Sequence, residues 1–261
     1  MVNWRAWLFF LAVVAFSVLS CNRTQGMVPI HGASFLMGCV RGDTECYGDE
    51  APQHQVRLSS FYIDAHEVTN QEYRACVRAR KCPPLKEESC WKQIGTRRER
   101  GGTLPAQFHR DDRPAVCVSW ETATAYCAWK GRRLPTETEW EFAVRGGANS
   151  EIRHGDLEDI AWYGKNAQRS TQSVGQKKPN AFGLYDMLGN VWEWCADWYD
   201  SEYYSSSEAV DPAGPKAGTA RVARGGGWSS DFAVVRASAR SGSEPDQGYD
   251  YIGFGCARDA D

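Results

Sequence analysis

Residues 180–194 read Asn-Ala-Phe-Gly-Leu-Tyr-Asp-Met-Leu-Gly-Asn-Val-Trp-Glu-Trp. Asp186 and Glu193 flank Gly189 and Val191, so two carboxylates and two backbone carbonyls can converge on one cation. All-oxygen donors in an irregular loop suit Ca²⁺, which accepts flexible geometry. The plainer alternative is that Glu193 is only a surface charge between Trp192 and Trp194.

Working outward, the chain shows three helices by their caps. Thr69-Asn-Gln-Glu72 is a capping box and predicts a helix to about Arg80, with Tyr73, Cys76 and Val77 on one face. Ser119 can cap Trp120–Lys130, where Ala123, Tyr126 and Cys127 share a face and Gly131 closes the helix. Thr136-Glu-Thr-Glu139 is a second box. Its helix ends before Gly146-Gly147 and buries Trp140, Ala143 and Val144. Glu137, Glu139 and Glu141 fan around that helix and read as cap and solvent charges. After residue 160 short strands and turns take over, with Arg221–Trp228, Val234–Ser238 and Ile252–Ala257 as the expected strands. The stretch 81–112 is basic, has no helical or strand period, and reads as a surface insertion. The class is α+β, as one loop-rich domain over 28–261.

Three segments then carry a resemblance. Gly-Arg-Arg-Leu-Pro-Thr-Glu-Thr-Glu-Trp-Glu-Phe-Ala (131–143), the opening stretch, and Arg-Val-Ala-Arg-Gly-Gly-Gly-Trp (221–228) are similar to successive signatures of the sulfatase-modifying factor family, named for the formylglycine-generating enzyme. Weaker matches at 33–38, 61–70, 118–121 and 252–256 extend it over nearly the whole chain. The resemblance implies an asymmetric, loop-rich fold related to the C-type lectin domain. It also implies a calcium held by a side-chain oxygen, two carbonyls and a glutamate, matched here by Asp186, Gly189, Val191 and Glu193. A second family calcium would use Asn166 and Ala167 with a downstream acid. Residues 168–174 contain no acid, so that site is not expected.

The chain has ten cysteines. The resemblance pairs Cys127 with Cys256. The family's other bridge falls on Val144 and Ala237, so apolar packing replaces it. Cys39/Cys46, Cys76/Cys82 and Cys90/Cys117 are possible local pairs whose connectivity the sequence leaves open. Cys195 is the thiol expected to remain, buried and inert. The family enzyme binds copper(I) through two cysteines after its Gly-Gly-Ser segment, because copper(I) prefers soft thiolates. The corresponding segment here, Gly225-Gly226-Gly227-Trp228-Ser229-Ser230-Asp231, is followed by no cysteine before Cys256. The family serine is Gly227 and the arginine of the final motif is Gly255. These departures argue against copper chemistry, and no catalytic residue is assigned. The iron-binding histidine motif of sulfoxide-forming relatives is also missing, and no histidine follows His154.

At the other end, Met1 to Ser20 has one basic residue, Arg5, and an apolar run from Trp7 to Leu19. That run is shorter than the roughly 20 residues a helix needs to cross a bilayer, and fits a secretory leader. Val18-Leu19-Ser20-Cys21 resembles a bacterial lipobox. The resemblance implies lipidation at Cys21, a tether over 21–27, and a lipid-anchored place in the cell envelope, facing the periplasm or on the outer membrane. Thirty basic against 33 acidic residues give a net charge of −3 and exclude recognition of nucleic acid through a basic face. Eleven tryptophans, about three times ordinary usage, must be explained by the core or by a site.

The expected function is therefore ligand binding by an anchored, non-catalytic domain. Loops on a rigid scaffold concentrate binding residues, and Trp228, Ser229, Ser230, Asp231, Tyr249 and Tyr251 form the candidate surface for a peptide, a glycan or an envelope protein. The alternatives are an oxidase of the formylglycine-generating type or a related activity at the same cleft, and a structural accessory lipoprotein of an envelope complex.

Overall fold

The three helices form at their capping residues. In the computed structural model, which describes residues 24–147 and 151–260, α1 spans Asn70–Arg78. Thr69 accepts from the Glu72 amide while Glu72 accepts from the Thr69 amide at 2.9 Å. α2 (Trp120–Trp129) starts from Ser119, whose hydroxyl accepts from the Thr122 amide. α3 (Glu137–Arg145) has its own capping box and stops at Gly146, whose φ of +58° suits a residue without Cβ. Each cap contributes about 1 kcal/mol. The single turn α4 (Leu157–Ile160) follows. The leader at 1–20 and Cys21 lie outside the described residues. Among those residues no helix is long and apolar enough to cross a membrane.

The strands are short. β1 (Met27–Ile30), β4 (Phe61–Asp64) and β11 (Ala257–Asp259) form one antiparallel sheet, in the order β1-β4-β11. β2 (Ser34–Met37) pairs with β3 (His54–Arg57). The central sheet is ordered β10-β7-β8-β9, from Ile252–Gly253, Trp192–Trp198, Arg221–Arg224 and Arg240–Ser243. Only the β10–β7 pair is parallel.

Several expectations change. β8 stops at Arg224 because Gly225 and Gly226 turn the chain through φ of +99° and +77°. Val234–Ser238 is not a strand: a short 3₁₀ turn covers Phe232–Val234, and Arg236 is drawn inward to Glu50 and Asp43. The last expected strand is split into β10 and β11. The 81–112 stretch contains a hairpin, β5 (Trp91–Ile94) with β6 (Arg97–Arg100). Gly95 takes the positive φ, +58°, that a two-residue hairpin loop needs at its first position. β6 is exposed throughout, so nothing forces an alternating pattern on its sequence. Glu137 and Glu141 are not solvent charges. Both are buried, on Arg240 and on Arg145 with Arg224.

Two apolar clusters make the core. One gathers Tyr126, Trp194, Trp228 and Phe254 between α2 and the central sheet. The other gathers Phe35, Trp140, Phe142 and Leu184 around α3, with Val144 and Ala237 buried in it. Trp140 and Trp194 are wholly buried. Trp120, Trp129 and Trp192 are half-buried against the first cluster, so most motif tryptophans are core. Four disulfides staple the loops: Cys39–Cys46, Cys76–Cys82, Cys90–Cys117 and Cys127–Cys256. Cys195 is the free thiol among the described residues, and it is buried.

Candidate functional site

The loop entering β7 is built from left-handed backbone. Asp186, Gly189 and Asn190 have φ of +53°, +84° and +54°. A Cβ on Gly189 would lie 2.5 Å from the Trp162 carbonyl oxygen, so no larger residue fits. The Asn190 amide donates to that same carbonyl at 2.7 Å. Among the described residues, no donor is paired with the carbonyls of Gly189 or Val191.

Three acids face one another below this loop. Asp186 is 2% exposed; Oδ2 accepts from the Gly175 amide at 2.6 Å and Oδ1 has no partner. Burial pushes its carboxyl up to about 6. Glu193 is 5% exposed, and burial, reinforced by Asp186, pushes it up to about 8. A Cβ on Gly255 would sit 3.3 Å from Glu193 Oε2, so glycine at the arginine position of the final motif lets the backbone approach this carboxylate. The third acid, Glu67, escaped the sequence reading. It is 1% exposed with both carboxylate oxygens unpartnered. Burial first, then Asp186 and Glu193, raise its proton affinity well above the ordinary range. Its signal was an acid directly before the buried Val68 and the capping Thr69.

The orphaned oxygens of Glu67 and Asp186 are hard donors of the kind Ca²⁺ takes, as are the carbonyls of the same loop. No group of three or more His, Cys, Asp or Glu side chains among the described residues is placed to hold a metal by itself. The donor set therefore depends on the Gly189 and Val191 carbonyls. At the second family position the oxygens are already used. Asn166 Oδ1 accepts from the Tyr163 amide at 2.8 Å, and the Ala167 carbonyl accepts from Gln172 Nε2 at 2.7 Å.

The same loop also carries the floor of a cleft. Asn190 accepts from the Trp228 amide at 2.7 Å, and Trp228 Nε1 donates to the Asp250 carbonyl at 2.9 Å. The cleft holds about 640 Å³ between the β5–β6 hairpin on one side and Gly164, Gln168 and Arg169 on the other. Trp228 and Ser229 lie at its floor, with Phe108 edge-on to the indole at 5.6 Å. Ser229, Ser230 and Asp231 border an adjoining depression that shares Gly164. The Ser230 hydroxyl is spent locally, accepting from the Gly227 amide and from Trp192 Nε1. Asp231 caps the following turn. Tyr249 and Tyr251 are each 6% exposed and lie under the hairpin, where Arg98 stacks on Tyr251 at 5.0 Å. Of the six expected surface residues, Ser229, Ser230 and Asp231 border open space, and Trp228, Tyr249 and Tyr251 are buried.

Comparison with known proteins agrees with this geometry. The family model described as "Sulfatase-modifying factor enzyme 1-like domain" matches residues 16–260. The chain is 36% identical to the formylglycine-generating enzyme of Streptomyces coelicolor, covering 91% of this chain and 90% of that one. It is 33% identical to the inactive C-alpha-formylglycine-generating enzyme 2 of Mus musculus, covering 93% and 91%. The solved structure of PvdO from Pseudomonas aeruginosa superposes with a TM-score of 0.75 at 29% identity, covering 90% of this chain and 94% of that one. The fold is the loop-rich α+β fold of the formylglycine-generating enzymes, and the chain belongs to the sulfatase-modifying factor enzyme 1-like family.

Proposed function

We propose that this chain is an envelope-anchored lipoprotein whose formylglycine-generating-enzyme-like domain is non-catalytic and binds a ligand in the cleft above Trp228 and Ser229. The observation that carries this reading is the chemistry of the cleft floor. Between Cys195 and Cys256 the chain has no thiol, and copper(I) requires soft ligands that serine oxygens do not supply. Cys195 is fully buried within β7, and burial raises its thiol well above the ordinary range. The existence of an inactive mouse relative fits a family in which the fold outlives the oxidase chemistry.

In this reading a calcium ion is held by Asp186, the Gly189 and Val191 carbonyls, and Glu193, with Glu67 beside them. Bound there, the ion supplies positive charge to buried carboxylates and performs no chemistry on a substrate. The protein's own part is to hold Asn190, and through it Trp228, at the cleft floor. The anchor is Cys21, read from the lipobox-like Val18-Leu19-Ser20-Cys21. Acylated chains there would place the domain at the envelope surface.

The test is metal analysis of the purified protein together with an assay on a cysteine-containing sulfatase peptide. About one equivalent of calcium and no aldehyde product are expected. Stoichiometric copper or iron, or copper-dependent oxidation of the peptide, would overturn the reading. That outcome would favour an oxidase, the reading supported by the 36% identity to the Streptomyces coelicolor enzyme.

A further inference from the structure

The hairpin made by residues 91–100 is basic on a protein that is acidic overall. It carries Lys92, Arg97, Arg98 and Arg100 against one acid, Glu99. The Cys90–Cys117 disulfide ties its base to the core. Its first strand forms one wall of the cleft, with Lys92 directed to that space.

The facing wall presents Arg169. Both Gln168 and Arg169 are held at positive φ, +53° and +58°, a conformation unfavourable for residues with a Cβ. Strain of this kind persists where the surrounding structure enforces it, and it clusters at binding sites. Neither Lys92 nor Arg169 has an ion-pair partner among the described residues. The acid on the cleft wall, Asp250, is 3% exposed and its oxygens already accept from the Gln93 amide at 3.0 and 3.1 Å. Lys92 Nζ donates to the Thr103 carbonyl at 3.4 Å, and its charge favours ionised Asp250. Lys92 and Arg169 therefore line opposite walls of a cleft whose one lining acid among the described residues is buried.

We infer that the cleft takes an acidic peptide, whose carboxylates meet Lys92 on the hairpin and Arg169 on the opposite loop while an apolar side chain rests between them. The lining decides for a peptide over an anionic saccharide. Ile94, 48% exposed, supplies aliphatic surface. The aromatic rings that could stack on a sugar, Phe108 and Trp228, are only 3% and 5% exposed. The inference rests on the binding reading above and narrows it to a ligand class.

The test is fluorescence anisotropy with a labelled, end-capped peptide of alternating Glu and Leu, against its Lys/Leu counterpart, with heparin as a saccharide probe. The acidic peptide should bind about tenfold or more tighter than the basic one, and weaken as salt rises. Lys92→Ala and Arg169→Gly should each weaken it about tenfold, the loss typical of one charge-assisted contact. Arg169→Gly relieves the positive φ, so its melting temperature should hold or rise while affinity falls. A merely structural role for Arg169 would not separate the two. Equal binding of both peptides, no binding of either, binding of heparin alone, or variants with undiminished affinity would each overturn the inference. Tighter binding of the basic peptide would do so while leaving the non-catalytic binding reading intact. Copper-dependent turnover would instead remove that reading.

Discussion

Glu141 of α3 and Arg224 of β8 form an ion pair in which neither side chain touches solvent. Glu141 also accepts from the Gly38 amide at 2.7 Å and from Arg145, while Arg224 donates to the carbonyls of Ser238, Ala239 and Ala237. Burial by itself would raise the Glu141 carboxyl, but Arg145 and Arg224 hold it below the ordinary range. Glu141 is the acid shared by two buried arginines, Arg145 and Arg224, so its removal leaves both cations short of a partner, whereas removal of Arg224 leaves Glu141 paired with Arg145. Glu141→Leu should cost about 3–5 kcal/mol in chemical denaturation, and Arg224→Met should cost less. A Glu141→Leu protein within about 0.5 kcal/mol of wild type would show the pair to be energetically idle.

Asp197 makes stability fall as pH rises. It is 3% exposed on β7, its Oδ2 accepts from the Glu137 amide at 2.7 Å, and burial, with Glu137 next, pushes it up to about 8 from 3.8. The charged and titratable groups around it are Glu137 and Glu139 on α3, Arg221 on β8, Tyr203 in the adjacent turn and Cys195 on its own strand. Between these two pKa values the folded state keeps a proton that the unfolded state releases. Its contribution is therefore full at low pH and declines toward pH 8. Asp197→Asn should flatten the difference in unfolding free energy across that window. Parallel wild-type and variant pH curves would contradict this assignment.

What the sequence conveyed depended on how local each signal was. Thr69, Ser119 and Thr136 announce their helices because a cap involves residues three apart. Cys127 and Cys256 pair across 129 residues, and only family resemblance marked that pairing. The burial of Glu137 and Glu141 was not legible, because Arg240 and Arg224 lie 103 and 83 positions away, the i+4 pair with Arg145 reads equally as a surface pair, and α3 is enclosed on every side. Tyr249 and Tyr251 looked like surface aromatics only because the hairpin that covers them has no strand pattern. At the proposed cation site the loop residues were readable as a motif. Glu67 was not, since nothing in its local text places it opposite Asp186.

The Cys127–Cys256 bridge connects α2 to the segment before β11 and closes the longest loop of the four. On the chain-entropy model a loop of that length contributes about 4–5 kcal/mol. Replacing both cysteines with alanine should lower stability by roughly that amount and by more than removal of Cys76–Cys82, whose separation is 6. Equal losses from the two pairs, measured by denaturant unfolding, would rule out loop closure as the source.

Glu67 and calcium should act on stability in opposite directions. Without a cation, Glu67, Asp186 and Glu193 share a buried space with three unpartnered oxygens, a cost the fold must absorb. Adding calcium should raise the melting temperature and EGTA should lower it, since a ligand that binds only the folded state stabilises by mass action. Asp186→Ala and Glu193→Gln should abolish the calcium-induced shift. Glu67→Gln should raise the melting temperature in EGTA, by removing a buried carboxyl that must hold a proton there, and shrink the shift on adding calcium. A Glu67→Gln protein that is less stable in EGTA yet shifts as much as wild type would assign Glu67 to packing alone and separate it from the cation site.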